Sequence, residues 1–251
     1  MDDVKHFIPH SIRRSALDPA AVGEAGIVLC DLDGCLVSDG RAFDEAPAFV
    51  AACGARLWVI SNCSDATADT LSMRLARLGM VVPAERILLA GVVTLEYLAR
   101  VEGVRRLRLW ADPSLKARAR VLGMDPEAET PEAVLLCRDP AVTVETMGPI
   151  LADLAAGAVL WVANEDLSHP AQDGQPVAET GALLAALRAI RPGLRWSSLG
   201  KPDPSMLLTA LERSGHEPGA AIFVGDNPDT DGLAAAAAGI SFLHIQRSAR
   251  Q

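Results

Sequence analysis

Nowhere in this 251-residue chain do about 18 apolar residues follow one another without interruption, so no membrane-spanning helix is expected. No apolar h-region follows Lys5, Arg13 and Arg14 near the start, so no export signal is read there. Basic residues are in deficit: 23 Lys and Arg stand against 32 Asp and Glu, which gives a net charge of -9 and a pI near 5.0. Nucleic acid is bound by basic surfaces that release counterions, so this balance excludes it as a partner. The five cysteines (Cys30, Cys35, Cys53, Cys63 and Cys137) form no C-x-x-C pair and are odd in number. A disulfide framework and a zinc site are both disfavoured, and reduced thiols in the cytoplasm are expected. No period of roughly 20–50 residues marks a repeat protein.

What the chain does have is 50% hydrophobic residues, enough for a sizeable core. Short apolar runs at Gly26–Cys30, Leu57–Ile60 and Ile222–Val224 each end in a polar cluster and lead into a helix-like stretch. This alternation predicts an α/β fold, a Rossmann-like parallel sheet with crossover helices. In such sheets the ligand sits beyond the carboxyl ends of the strands, where the polar clusters fall. Between Leu78-Gly79 and about Arg195 the alternation continues. Strands are predicted at Leu107–Trp110, Ala133–Leu136 and Val159–Ala163, and helices at Val92–Arg100, Leu115–Leu122 and Val144–Ala156. Gly79, Pro83, Pro192 and Gly193 punctuate both ends of this block. The expected organisation is a core of residues 1–82 and 195–251 with an α/β domain, 83–194, inserted in it.

Four polar clusters carry the chemistry. Asp31-Leu32-Asp33-Gly34 follows the first strand, and a carboxylate there can attack a phosphoryl group and split one hard displacement into two easier ones. Ser61-Asn62-Cys63-Ser64 follows the second, with Ser64 or Asp65 suited to cap the next helix and leave an anion site at its start. Gly200-Lys201-Pro202-Asp203-Pro204 holds a lysine as a point charge, with Asp203 placed as an N-cap and Pro204 as the first helical residue. In Gly225-Asp226-Asn227-Pro228-Asp229-Thr230-Asp231, acids supply the hard oxygen ligands that Mg²⁺ prefers, while Thr230 or Asp231 suits a helix cap. Each cluster alone reads equally as an ordinary turn or cap.

Taken together and in order, D-x-D-G, a serine after the second strand, a lysine and an acidic G-D-x-x-x-T-D loop resemble the haloacid dehalogenase-like phosphatases. The resemblance runs from about Gly26 to His244, and is closest to the NagD-like or para-nitrophenylphosphatase branch, which carries a large α/β cap. It implies that Asp31 is the nucleophile and that Asp33 protonates the leaving oxygen and then activates water. It further implies that Ser61 and Lys201 hold the phosphoryl oxygens. Mg²⁺ would be bound by Asp31, the backbone carbonyl of Asp33, and Asp226, with Asn227 and Asp231 supporting. Leu32 and Asn62 join Ser61 and Lys201 as substrate contacts, and the inserted domain would choose the substrate through Asn164 and Asp166. The implied substrate is a small phosphorylated metabolite such as a sugar phosphate, a nucleotide or phosphoglycolate. A homodimer through the cap fits the same branch. A phosphotransferase or mutase would use the same aspartyl-phosphate, and a receiver-like phospho-switch is the non-enzymatic rival. The receiver is disfavoured because it needs neither Asp33 nor a second domain.

Other features have weaker readings. His6, His10, Arg13 and Arg14 belong to a lead-in that the motifs do not require, either an interface arm or a frayed end. Cys35 and Cys63 read as small buried hydrophobes. The basic run of Arg100, Arg105, Arg106, Arg108, Lys116, Arg118 and Arg120 reads as a solvated face.

Overall fold

The computed structural model describes residues 11–170 and 175–247. Its first half runs β1 (Ser11–Arg14), β2 (Ile27–Asp31), β3 (Val37–Ser38), β4 (Arg41–Ala42), α1 (Ala46–Cys53), β5 (Leu57–Ser61), α2 (Ala68–Arg77), β6 (Ile87–Leu89), α3 (Ala90–Arg100), β7 (Leu107–Trp110) and α4 (Pro113–Val121). Then come β8 (Ala133–Leu136), α5 (Val144–Ala155), β9 (Val159–Val162), β10 (Ser168–Pro170), β11 (Pro176–Ala178), α6 (Thr180–Ile190), α7 (Ser205–Ser214), β12 (Ala221–Gly225), α8 (Leu233–Ala238) and β13 (Ser241–Ile245). Among the described residues, 11–60, 72–87 and 201–247 make one compact unit, and 61–71 with 88–170 and 175–200 make a second.

The first unit is built on a six-stranded sheet in the order β1-β13-β12-β2-β5-β6. β2, β5 and β12 are apolar along almost their whole length and buried at every position, as strands covered on both faces must be. Their pairing is parallel, with Val224 beside Cys30 and Asp31 beside Ile60. From β2 the chain proceeds to β5 and β6 on one side, whereas β12, β13 and β1 lie on the other. The direction therefore reverses between β2 and β12, which opens a crevice at their carboxyl ends. Part of the lead-in has a structural role: β1 pairs in parallel with β13, and Arg13 and Arg14 lie exposed on this strand. His6 and His10 fall outside the described residues.

The second unit holds the three-stranded parallel sheet β7-β8-β9. β8 alternates: Ala133 and Leu135 join a cluster with Leu95, Leu98, Leu115 and Trp161. Val134 and Leu136 join another with Ile150, Leu154, Leu184 and Leu187. Helices thus cover both faces, with α3 and α4 on one and α5 and α6 on the other. No helix among the described residues is long and apolar enough to cross a membrane.

Candidate active site

The switch point in the first unit places Asp31 at the end of β2 and Asp226 directly after β12. Carboxylate oxygens of Asp31 and Asp226 and the sulfur of Cys35 all lie within 4.8 Å of one another. This closeness depends on Gly34. Its φ is +86°, and a Cβ there would stand 2.0 Å from Oδ2 of Asp226, so no side chain is tolerated between the two acids. Gly225 plays the same part for Asp231, whose Oδ2 would be 2.4 Å from a Cβ.

Lys201 is buried, and its ammonium donates to Oδ1 of Asp31 at 2.5 Å and to Oδ1 of Asp231 at 2.6 Å. The other oxygen of Asp231 accepts from the backbone N–H of Asn227 at 3.2 Å. Burial works against the Lys201 charge, but Asp231 and Asp31 outweigh it and hold the amine protonated. Burial pushes the Asp31 carboxyl well above the ordinary range, opposed by Lys201 and reinforced by Asp231 and Asp226. Asp226 is pushed up to about 6, chiefly by burial and next by Asp231. Cys35 is fully buried and burial raises its thiol well above the usual value, so it stays a neutral, soft neighbour to the two hard carboxylates. Cys63, in contrast, is only half-buried, and its thiol donates to Oδ1 of Asp65 at 3.3 Å. Asp33 is exposed at the turn that follows β2, and Leu32 is buried.

Residues that the sequence did not single out fix this turn. Arg247 donates to the carbonyls of Gly34 at 3.0 Å and Cys35 at 2.8 Å, pairs with Glu45 at 2.6 Å, and stacks over Phe43. His244 lies with Nε2 3.0 Å from the Asp226 carbonyl. Nothing local marks Arg247, since its partners are some 200 residues earlier in the chain.

Local capping differs from the sequence reading in three places. Thr67, not Ser64 or Asp65, caps α2 by accepting from Thr70 N–H at 3.3 Å. Asn227, not Thr230 or Asp231, caps the turn after β12 by accepting from Asp229 N–H. α7 starts at Ser205, one residue beyond Pro204, and Asp203 accepts from the Ser205 N–H at 2.9 Å.

Ser61 is the last residue of β5, buried, with its hydroxyl accepting from the Cys63 N–H at 3.1 Å. The following residues are tied within the second unit. Asn164 is buried, and its amide donates to the Asn62 carbonyl at 2.7 Å and accepts from the Asp166 N–H at 3.1 Å. Asn62 donates its own amide to Oδ2 of the half-buried Asp166 at 2.9 Å. The Ser64 hydroxyl meets Thr180, and Asp65 takes Arg138 in an ion pair of 2.6 Å. The basic run is largely neutralised: Arg106 pairs with Glu132, Arg108 with Asp153, Arg118 with Glu96, and Lys116 and Arg120 both with Glu127.

Buried Asp31 and Asp231, bridged by Lys201 beyond the carboxyl ends of a parallel sheet, stand where open α/β sheets place their ligands. A family model for haloacid dehalogenase-like hydrolases matches residues 26–239, and the chain belongs to that family. It is 27% identical over 221 residues to the dihydroxyacetone phosphatase of Corynebacterium glutamicum, covering 87% of this chain and 80% of that one. Its fold is similar to NagD from Escherichia coli, with a TM-score of 0.79 at 25% identity over 90% of this chain and 89% of that one. It is also similar to a glycerol phosphate phosphatase from Mycobacterium tuberculosis solved in complex with magnesium, with a TM-score of 0.81 at 24% identity over 89% and 68% of the two chains.

Proposed function

We propose that this phosphatase hydrolyses a small phosphorylated metabolite of the sugar-phosphate class, through an aspartyl-phosphate on Asp31 and with Mg²⁺ as cofactor. The observation that carries the reading is the charge balance at the strand ends. Asp31 and Asp231 converge on the single ammonium of Lys201, and Asp226 lies within 4.8 Å of Asp31. An anionic substrate would be repelled unless a cation stood between it and these acids. Asp31, Asp226 and the backbone carbonyl of Asp33 would hold that cation. Hard carboxylate oxygens suit magnesium, which would neutralise charge on the phosphoryl oxygens when bound.

In the first step an Asp31 oxygen bonds to phosphorus while the bond to the leaving oxygen breaks, and Asp33 gives that oxygen its proton. In the second, Asp33, now a carboxylate, takes a proton from water as the water oxygen attacks phosphorus and frees Asp31. The exposure of Asp33 suits both transfers, since the residue is exposed while Asp31 is buried. Ser61 and Lys201 would hold the phosphoryl oxygens. Leu32 would contact the substrate beside Asp31, and Asn62 and Asp166, which Asn164 holds, would contact its non-reacting part. The dihydroxyacetone and glycerol phosphates implied by the relatives' names set the size of substrate that we favour.

Replacing Asp31 by Asn keeps the shape and removes the nucleophile. Turnover of a generic aryl phosphate is expected to fall by a factor of about 10³ or more, as loss of a covalent nucleophile does in other enzymes, without loss of the folded state. Beryllium fluoride, a mimic of the aspartyl-phosphate, should inhibit the wild type and not bind the variant. Activity within tenfold of wild type would remove Asp31 from this role.

A further inference from the structure

Six arginines among the described residues are half-buried: Arg56, Arg86, Arg108, Arg118, Arg138 and Arg247. Four of them meet carboxylates, Arg108 with Asp153, Arg118 with Glu96, Arg138 with Asp65 and Glu179, and Arg247 with Glu45. Arg56 and Arg86 have no carboxylate partner among the described residues. Both line one open cleft of about 380 Å³ in the first unit, together with Gly26, Trp58, Ser214 and His216.

The cleft lies where β2 and β5 begin, the end of the sheet opposite to Asp31, and about 13 Å from it at the usual rise per residue of a strand. Each guanidinium is already fixed through one nitrogen. Nη1 of Arg56 donates to the carbonyls of Gly23 at 3.2 Å and Ala25 at 2.8 Å, and Nη1 of Arg86 donates to the Gly54 carbonyl at 3.3 Å. Among the described residues the other donors of both forks have no partner. Partial burial takes hydration from such a charge, and none of the described acidic residues pairs with it here. His216 adds a ring that packs on Gly26, where a Cβ would be 2.8 Å from its Cδ2, and its Nδ1 is buried without a hydrogen bond.

We propose that this cleft is a second anion-binding site, which takes a small organic molecule bearing a phosphoryl or carboxylate group. Two preset guanidinium forks match the paired oxygens of either group. The volume is within the range of small-molecule sites, about 300–1,000 Å³, and exceeds what an inorganic ion fills. The ligand's uncharged part would rest on the apolar wall that contains Trp58.

The wild-type enzyme would be titrated calorimetrically with 3-phosphoglycerate, citrate and inorganic phosphate, with and without Mg²⁺. Expected is one saturable site for at least one of the two organic probes, independent of Mg²⁺ because the cleft holds no acid. The organic probe that binds identifies the preferred group as phosphoryl or carboxylate. Arg86→Glu should weaken that binding at least about tenfold, the loss expected for a charge-assisted contact, while kcat/KM on an aryl phosphate and the melting temperature stay unchanged. Arg56→Gln should weaken it too, but its two carbonyl bonds brace the chain, so Arg86→Glu is the decisive variant. The proposal is overturned if neither organic probe saturates, if binding requires Mg²⁺, or if Arg86→Glu changes affinity by less than tenfold.

Discussion

Asp226 is the residue at which the charge balance can be read most directly. Its carboxyl is pushed up to about 6 from 3.8, first by burial and then by Asp231. A carboxyl whose value is raised on folding binds its proton more tightly in the folded chain than in the unfolded one. The metal-free protein is therefore unpenalised below about pH 4 and loses stability as pH rises through about 6. A divalent cation that binds the ionised form cancels this loss, because ligand that binds only the folded state stabilises it. Added Mg²⁺ is accordingly expected to raise the melting temperature at pH 8 and to have little effect at pH 5. Below pH 6 the Mg²⁺ concentration for half-maximal activity should climb by up to about tenfold per pH unit, one proton competing for one site. Scanning fluorimetry and metal titration at several pH values measure both. An equal thermal shift at pH 5 and pH 8 would take Asp226 out of the metal site.

Among the elements, the strands of the core position chemistry only as well as the turns that leave them. The turn after β2 is held from the far end of the chain by Arg247, which joins the Gly34 and Cys35 carbonyls to Glu45. Arg247→Gln keeps some of the hydrogen-bonding capacity and loses the fork and the charge. The expected result is a fall in kcat of about tenfold or more with KM little changed, since Arg247 contacts neither phosphate nor metal and acts through the position of Asp31 and Asp33. The same variant should lower the melting temperature by only about 2–4 °C if the pair is worth about 1 kcal/mol. A large thermal loss with normal kcat would make the residue purely structural. Such a support is not legible in sequence, because its partners are remote and its spacing carries no period. The strands were legible for the opposite reason: β2, β5, β8, β9 and β12 are largely apolar runs, β7 alternates around Arg108, and each lies within a residue or so of where the pattern put it. α3, α4 and α5 follow likewise from helical periodicity. β1 and β6 escaped because they are short and owe their state to neighbours in the sheet. The caps were misread because Ser64 and Asp65 have the right chemistry for capping but are drawn to Thr180 and Arg138 instead. Of the site, the four clusters stood out through residue type and order, whereas Gly34's part in admitting Asp226 needed coordinates.

For the whole molecule, the question is whether the second unit chooses what the first unit hydrolyses. Lys201 bridges Asp31 and Asp231, both in the first unit. Asp166 hydrogen-bonds within the second unit, to Asn62, Asn164 and Gly181. A contact to the non-reacting part of a substrate contributes binding that a small aryl phosphate never uses. Asp166→Ala should therefore reorder a panel of sugar phosphates, changing kcat/KM by about tenfold for some and leaving p-nitrophenyl phosphate nearly untouched. Lys201→Met, which keeps the apolar stem and removes the charge, should lower kcat/KM by about 10² or more for every member alike, because all share the phosphoryl group that it neutralises. Removing Lys201 also strands buried carboxylates, a cost of about 3–5 kcal/mol, so its folded fraction has to be measured alongside, with Mg²⁺ present to offset the charge. Both variants are assayed against one panel, so that the pattern across substrates, and not the size of any single loss, decides. A uniform loss from Asp166→Ala, or a substrate-selective loss from a folded Lys201→Met, would place the choice of substrate in the catalytic unit.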